Sequence, residues 1–342
     1  MTAPTLWFLI IAFLWTGFFV LEGFDFGVGM LHRFLGRTDT EQRVAINTIG
    51  PVWDGNEVWL IVAGAAMFAA FPGWYATWFS ALYLALVLVL VALIVRGVAF
   101  EYRAKHDDVT WRRNWDLAII VGSFLPAILW GVAFGNILRG VPIDGDMEYT
   151  GGFFNLLNPY SLLGGVMTLL LFLTHGAIFI SLKTDGRIRE AARSLAFRVG
   201  LGAAVAAVVF LLWTQIHTGD VASGIAFVLA ALALVGGLAA ILAGREGWAF
   251  VGTFAAIALG VAGLFLALFP DVMPTSLAGG VSLTTSNASA THYTLTIMTV
   301  VAVIFTPVVL AYQAWTYWVF RKRIAVEHIP AAVGQPSSIP AG

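Results

Sequence analysis

Four carboxylic acids stand inside otherwise apolar stretches of this 342-residue chain. Glu22 and Asp25 belong to the first stretch, which continues as Gly23-Phe24-Asp25-Phe26-Gly27. Asp54 and Glu57 belong to the second, Gly50-Pro51-Val52-Trp53-Asp54-Gly55-Asn56-Glu57-Val58-Trp59. An ionised carboxylate at the centre of a bilayer costs about 3 kcal/mol on insertion scales and roughly 10 or more in simulations, so such groups mark proton or ion routes or buried ion pairs. Glu22 and Asp25 are spaced so as to share a helix face, as are Asp54 and Glu57. At 1.5 Å per residue, Asp25 lies roughly 28 Å along its helix and Asp54 about 5 Å past Pro51, which brings the acids to one layer on adjacent antiparallel helices. Four carboxyls in one low-dielectric layer cannot all ionise, so the layer can take up protons and hand them on. Arg96, at the end of the third apolar run, reaches the same layer as a charge partner. Its presence gives the acids a second reading, as a buried ion pair that fixes helix packing.

The elements that carry these acids read as membrane spans. Apolar residues make up 60% of the chain and charged residues 11%, against roughly 25% charged in a soluble domain. Mean hydropathy is +0.89. Runs of about 18 or more apolar residues predict nine spans, at 6–31, 51–71, 75–100, 115–138, 157–182, 197–215, 222–243, 248–270 and 293–320. Together they form one all-α transmembrane domain over 1–325, with 326–342 as a flexible tail. No basic residue precedes the first run, so it is expected to stay as a helix rather than be cleaved as a signal peptide. Thr38 and Glu41 form a capping-box pair that predicts a short interfacial helix before Gly50-Pro51 turns the chain into span two.

Charge placement fixes an orientation. With the N-terminus outside, sixteen of the eighteen Lys and Arg residues fall in inner connections or the inner tail; Arg139 lies outside and Arg96 within a span. That is the bias of the positive-inside rule, and it puts the C-terminus in the cytoplasm. Trp7, Trp74, Trp78 and Trp213 near outer ends, and Trp111, Trp115, Trp248, Trp315 and Trp318 near inner ends, read as an aromatic belt. Gly23/Gly27 and Gly131/Gly135 read as close helix contacts.

Other chemistry is poorly supplied. The chain has no cysteine, which excludes disulfides and thiolate-bound clusters. The net charge of −1 offers no basic surface for nucleic acid. Of six histidines, His32 and His106 read as loop residues and only His175 lies within a span, where hydrogen-bonded packing is the expected role rather than haem or metal ligation. Asn158 before Pro159 reads as a helix cap.

Five motifs in series resemble subunit II of the cytochrome bd-type quinol oxidases: Gly23-Phe-Asp-Phe-Gly-Val-Gly29, Leu35-Gly-Arg-Thr-Asp-Thr-Glu41, Trp53-Asp-Gly-Asn-Glu-Val-Trp-Leu60, Gly131-Val-Ala-Phe-Gly-Asn136 and Phe153-Phe-Asn-Leu-Leu-Asn-Pro159. The resemblance covers the chain from span one to span nine, and the cyanide-insensitive variants of the family share it. It implies two four-helix bundles plus a peripheral helix, in a bacterial cell membrane. It also implies a heterodimer with a haem-bearing subunit I that holds haem b, in two copies, and haem d, together with the quinol-oxidation loop. Such a complex oxidises a membrane quinol and reduces dioxygen to water, electrogenically and without pumping. Subunit II carries no haem; its acids, here Asp25 and Asp54, resemble those of a cytoplasmic proton route, with Glu22 and Glu57 as further candidates. Some relatives hold a structural quinone, for which Trp53 is the candidate neighbour, or a small single-span accessory subunit.

A proton-coupled secondary transporter would use the same intramembrane acids. Transporters commonly show inverted repeats and helices broken near the midplane; this sequence shows no internal repeat, and its acids lie near one face. A scaffold that only stabilises a partner would use them as interhelical hydrogen bonds.

Overall fold

The computed structural model describes residues 2–329. Eleven α-helices follow in order: α1 (Ala3–Leu35), α2 (Asp39–Asn47), α3 (Trp53–Ala70), α4 (Pro72–Ala81), α5 (Tyr83–Tyr102), α6 (Val109–Arg139), α7 (Pro159–Lys183), α8 (Gly186–His217), α9 (Val221–Leu242), α10 (Glu246–Leu268) and α11 (His292–Val319). Among the described residues, eight helices are long and apolar enough to cross a membrane: α1 and α5 to α11. The chain is an all-α membrane protein. The polar Asp54, Asn56 and Glu57 at its start leave the 18-residue α3 outside that set. The run at 75–100 is not one helix; a turn at Leu82 divides it into α4 and α5. Helices α6 and α8 begin well before their apolar runs, adding charged turns that satisfy their backbone before the chain turns polar. Of the expected tail, Val326–His328 form a 3₁₀ turn, and 330–342 lie outside the described residues.

Helices α1, α3, α5 and α6 pack as one group and α7 to α10 as a second, with α1 against α7 at the seam. Small residues make that seam possible. A Cβ on Gly27 would lie 2.1 Å from the Phe172 carbonyl oxygen and 2.7 Å from Gly176 Cα, so the α1 and α7 backbones touch. Gly131 meets the Gly164 carbonyl oxygen in the same way, at 2.3 Å, bringing α6 onto α7. Both glycine pairs read from the sequence therefore lie at close helix crossings.

Aromatic rings fill the first group. Trp15 contacts Trp130 and Trp78 edge-on, with centroids 5.0 and 5.2 Å apart, and Trp74 stacks on Trp78. Trp7, Trp74 and Trp78 are thus core residues and not belt residues, whereas Trp213, Trp248, Trp315 and Trp318 are exposed as a belt requires.

One end of the bundle gathers the basic residues. There α2 starts with the expected capping box: the Glu41 N–H donates to Thr38 Oγ1 at 3.2 Å and the Thr38 N–H to Glu41 Oε2 at 3.3 Å. Arg187 on α8 grips the same Glu41 with two bonds, at 2.9 and 2.5 Å, and holds its carboxyl below the usual carboxylate range. At the opposite end a two-stranded antiparallel ribbon, β1 (Asp271–Met273) with β2 (Leu283–Thr284), closes the connection into α11. Two of the motifs also knot together there. Asn158 caps α7 by accepting the Ser161 N–H at 3.0 Å, and its amide donates to Asn136 Oδ1 at 2.9 Å.

Helix α11 stands apart, with Leu295 as its one buried residue among those described. Polar contacts hold it at three levels, among them the Trp59 indole donating to Gln313 Oε1 at 2.8 Å. At one end the Trp7 indole donates to Leu295 O and Thr299 Oγ1. At the basic end the Lys183 ammonium donates to the carbonyl oxygens of Phe320 and Lys322. Between them, Gln313 and Tyr317 reach Asn56 on α3.

Candidate functional site

Asp25 projects from α1 at a point where α3 begins, because the turn at Gly50-Pro51-Val52 sends α3 back antiparallel alongside it. Helix geometry then decides which α3 residue faces Asp25. Successive side chains are about 100° apart, so only one of three neighbours points inward, and that residue is Asn56. Its amide donates to Asp25 Oδ2 at 2.6 Å, and both residues are fully buried.

Glu22, one turn back on α1, is equally buried and accepts a hydrogen bond from Arg96 Nη1 of α5. The Arg96 guanidinium carbon lies 4.9 Å from the Phe26 ring centroid and 5.3 Å from that of Phe100, so aromatic faces flank the cation. Glu22 and Asp25 are side-chain neighbours. Each commits one oxygen to a donor, Arg96 or Asn56, while Glu22 Oε2 and Asp25 Oδ1 have no donor among the described residues. Two carboxyls in that arrangement can share a proton between the remaining oxygens.

The expected layer of four acids is divided. Glu22, Asp25 and Arg96 meet as read from the sequence. Glu57 is half-buried and within electrostatic reach of Glu22 and Arg96. Asp54 does not join them: it is exposed, and its carboxylate accepts the Gly55 N–H at 2.8 Å in the first turn of α3, where the helix dipole favours an anion. Two positions before Asn56, it points away from Asp25. Trp53 sits at the rim, half-buried, with its ring 5.0 Å from Phe100 and close against Gly97.

Three members of the site escaped sequence reading: Asn56 as the residue facing Asp25, and Gln313 and Tyr317 of α11. The Tyr317 hydroxyl donates to Asn56 Oδ1 at 2.8 Å, and the Gln313 amide donates to the same oxygen at 3.2 Å. Polar side chains in an apolar helix were the available signal. Nearer the basic end a second buried cluster also went unread. His32 is not a loop residue; it lies in the last turn of α1, with Nε2 3.1 Å from Asp116 Oδ1 and Nδ1 2.8 Å from Gly29 O. Arg103 bonds Asp116 and, at 2.8 Å, Asp39, tying α1, α2 and α6 together.

The buried histidine of α7 packs among aromatic rings, with Nε2 lacking a hydrogen-bond partner among the described residues. His175 is hydrogen-bonded to Thr253 Oγ1 at 2.7 Å, stacked on Phe250 at 4.8 Å and set edge-on to Phe24. Among the described residues, no three His, Cys, Asp or Glu side chains converge as a metal site.

Residues 3–320 match the sequence model of the family described as cytochrome bd terminal oxidase subunit II. The chain is 44% identical over 326 residues to cytochrome bd ubiquinol oxidase subunit 2 of Bacillus subtilis (strain 168), covering 94% of this chain and 96% of that one. It is 41% identical over 362 residues to cytochrome bd-I ubiquinol oxidase subunit 2 of Escherichia coli (strain K12), covering 95% and 96%. In fold it is similar to a chain of the bd oxidase from Geobacillus thermodenitrificans, with a TM-score of 0.75 at 17% identity over 94% of this chain and 99% of that one. The chain therefore belongs to the cytochrome bd terminal oxidase subunit II family.

Proposed function

We propose that this chain is the haem-free partner in a bacterial membrane oxidase whose other subunit binds haems b and d, oxidises quinol and reduces dioxygen to water. In that complex it stabilises the haem-bearing subunit and brings protons to it from the cytoplasmic side. The observation that carries the reading is the pair Glu22 and Asp25, fully buried side by side with two donor-free oxygens. Oxygen reduction consumes protons, and an apolar helical interior conducts them only through titratable relays. In this scheme α3 crosses the membrane as the ninth span, and the basic end lies in the cytoplasm by the positive-inside rule. Asp54, exposed near that end, collects protons; Glu57, half-buried one helical turn on, passes them toward Glu22 and Asp25. Trp53 at the rim is the contact for a structural quinone.

A second reading applies to Glu22 alone. Its bond to Arg96 is a buried ion pair that joins α1 to α5, so Glu22 holds the packing while Asp25 moves the proton. Replacing Asp25 with Asn, in the assembled complex, tests the relay. Oxygen consumption should fall about tenfold or more, which corresponds to about 1.4 kcal/mol on the barrier, with haem content unchanged. Full turnover in a correctly assembled variant removes the proton role, and loss of haem together with activity points to a structural one.

A further inference from the structure

The hydrogen bonds around Asn56 form a chain whose direction is set at one end. The Trp59 indole N–H can only donate, and it does so to Gln313 at 2.8 Å. The Gln313 atom it meets must therefore be Oε1, which leaves the Gln313 NH₂ facing Asn56. That group also only donates, so the Asn56 atom it meets at 3.2 Å must be Oδ1. The Tyr317 hydroxyl then donates to the same oxygen at 2.8 Å. With Oδ1 taken, Asn56 presents its NH₂ to Asp25, and Asp25 Oδ2 has to accept at 2.6 Å.

We infer that α11, through Gln313 and Tyr317, fixes the amide orientation of Asn56 and thereby confines the exchangeable proton of Asp25 to Oδ1. A proton on Oδ2 would replace the carboxyl's better acceptor by a hydroxyl oxygen and weaken the buried Asn56 hydrogen bond, so the proton favours Oδ1. Among the described residues Oδ1 has no hydrogen-bond donor, and the charged or titratable groups that act on Asp25 are Glu22 on α1, Arg96 on α5 and Tyr317 of α11, with Glu57 of α3 acting on Glu22. Trp59, Gln313, Tyr317 and Asn56 are positioning residues for Asp25. The inference deepens the proton-relay reading and rests on it for its functional meaning, but the geometry it asserts can be measured separately.

Infrared difference spectra of the assembled complex, with the Asp25 carboxyl band assigned by its loss in Asp25→Asn, provide the test. A proton on Oδ1 leaves Oδ2 as a carbonyl that accepts the Asn56 bond, so the band should lie low. Gln313→Glu keeps an acceptor for Trp59 but puts an acceptor against Asn56. It should reverse the amide and shift the band, whereas Gln313→Met, which only deletes the contact, should shift it less. Tyr317→Phe should move the band in the same direction as Gln313→Met. Turnover in Gln313→Glu should fall roughly threefold to tenfold, as expected for one net hydrogen bond, with haem content unchanged. A band that stays fixed in Gln313→Glu and Tyr317→Phe overturns the inference. A band that moves while Asp25→Asn retains full turnover upholds the positioning and rejects the proton-relay reading instead.

Discussion

Replacing Arg96 with Met removes a charge from a site where nothing else can compensate it. Arg96 and Glu22 are both fully buried, and among the described residues their direct bond is the only ion pair either makes. Two unit charges about 4 Å apart attract by roughly 4 kcal/mol at an effective dielectric near 20. Removing one partner of a buried pair costs about 3–5 kcal/mol, because the other charge is left without a counter-ion. Arg96→Met also gives up contacts of the guanidinium with Phe26 and Phe100, each worth about 0.5–2 kcal/mol. Met retains much of the volume, so the loss is electrostatic rather than a cavity. The expected cost of Arg96→Met is therefore about 4 kcal/mol, and that of Glu22→Gln about 3 kcal/mol. The double variant should recover about 2–4 kcal/mol relative to their sum, since it leaves no charge unpaired. Unfolding of the purified complex in mixed micelles, followed by tryptophan fluorescence as a denaturing detergent is added, gives all four corners of the cycle. A coupling below about 1 kcal/mol would place the pair in the range of solvated surface bridges and defeat the argument.

Three further outcomes follow from particular contacts. Gly27→Ala should cost about 3 kcal/mol, the upper part of the overpacking range, because the new methyl meets α7 backbone at Phe172 and Gly176; recovery of intact complex after detergent extraction reads this directly. Gly260→Ala should stabilise by about 0.5–1 kcal/mol, since a Cβ there meets nothing within 4 Å in the middle of α10; an unchanged or lowered unfolding midpoint contradicts it. Glu41→Gln should cost about 1 kcal/mol near neutral pH. The Arg187 bonds lower the Glu41 value in the folded state, so the stabilisation is complete above the unfolded value of about 4.3 and fades as pH falls through the lowered folded value. The stability difference between the parent and Glu41→Gln should accordingly shrink in acid, and a difference that grows in acid has the wrong sign.

The cost of burying a carboxylate made Glu22, Asp25, Asp54 and Glu57 stand out before any fold was known, and the same argument named Arg96. What sequence could not settle was facing. Asp54, Asn56 and Glu57 sit within one turn of α3, and the helix has no strong apolar stripe to say which points inward. The choice falls on Asn56 because Gln313 and Tyr317, more than 250 positions later, hold its amide. Long-range partners of that kind leave no local pattern. The tryptophans show the same limit: Trp74 and Trp248 are alike as residues near helix ends, yet one is in the core and the other exposed. His32 failed for a different reason, since α1 runs a full turn beyond its apolar run and takes the histidine with it. Caps and small-residue pairs were legible because their logic is local: Thr38 with Glu41, Asn158 before Pro159, Gly23 with Gly27.

The slight burial of α11 has a consequence for how the helix tolerates change. Its apolar side chains touch few atoms of this chain, so exchanging Val, Ile and Leu among themselves along most of its length should leave the packing of this chain's own helices unaffected. Its register is written instead in a handful of polar atoms, at Thr299, Gln313 and Tyr317 and in the two carbonyls gripped by Lys183. A scan that reads the folding of this chain should therefore show α11 as a permissive helix interrupted by isolated intolerant positions, the reverse of the pattern in α1.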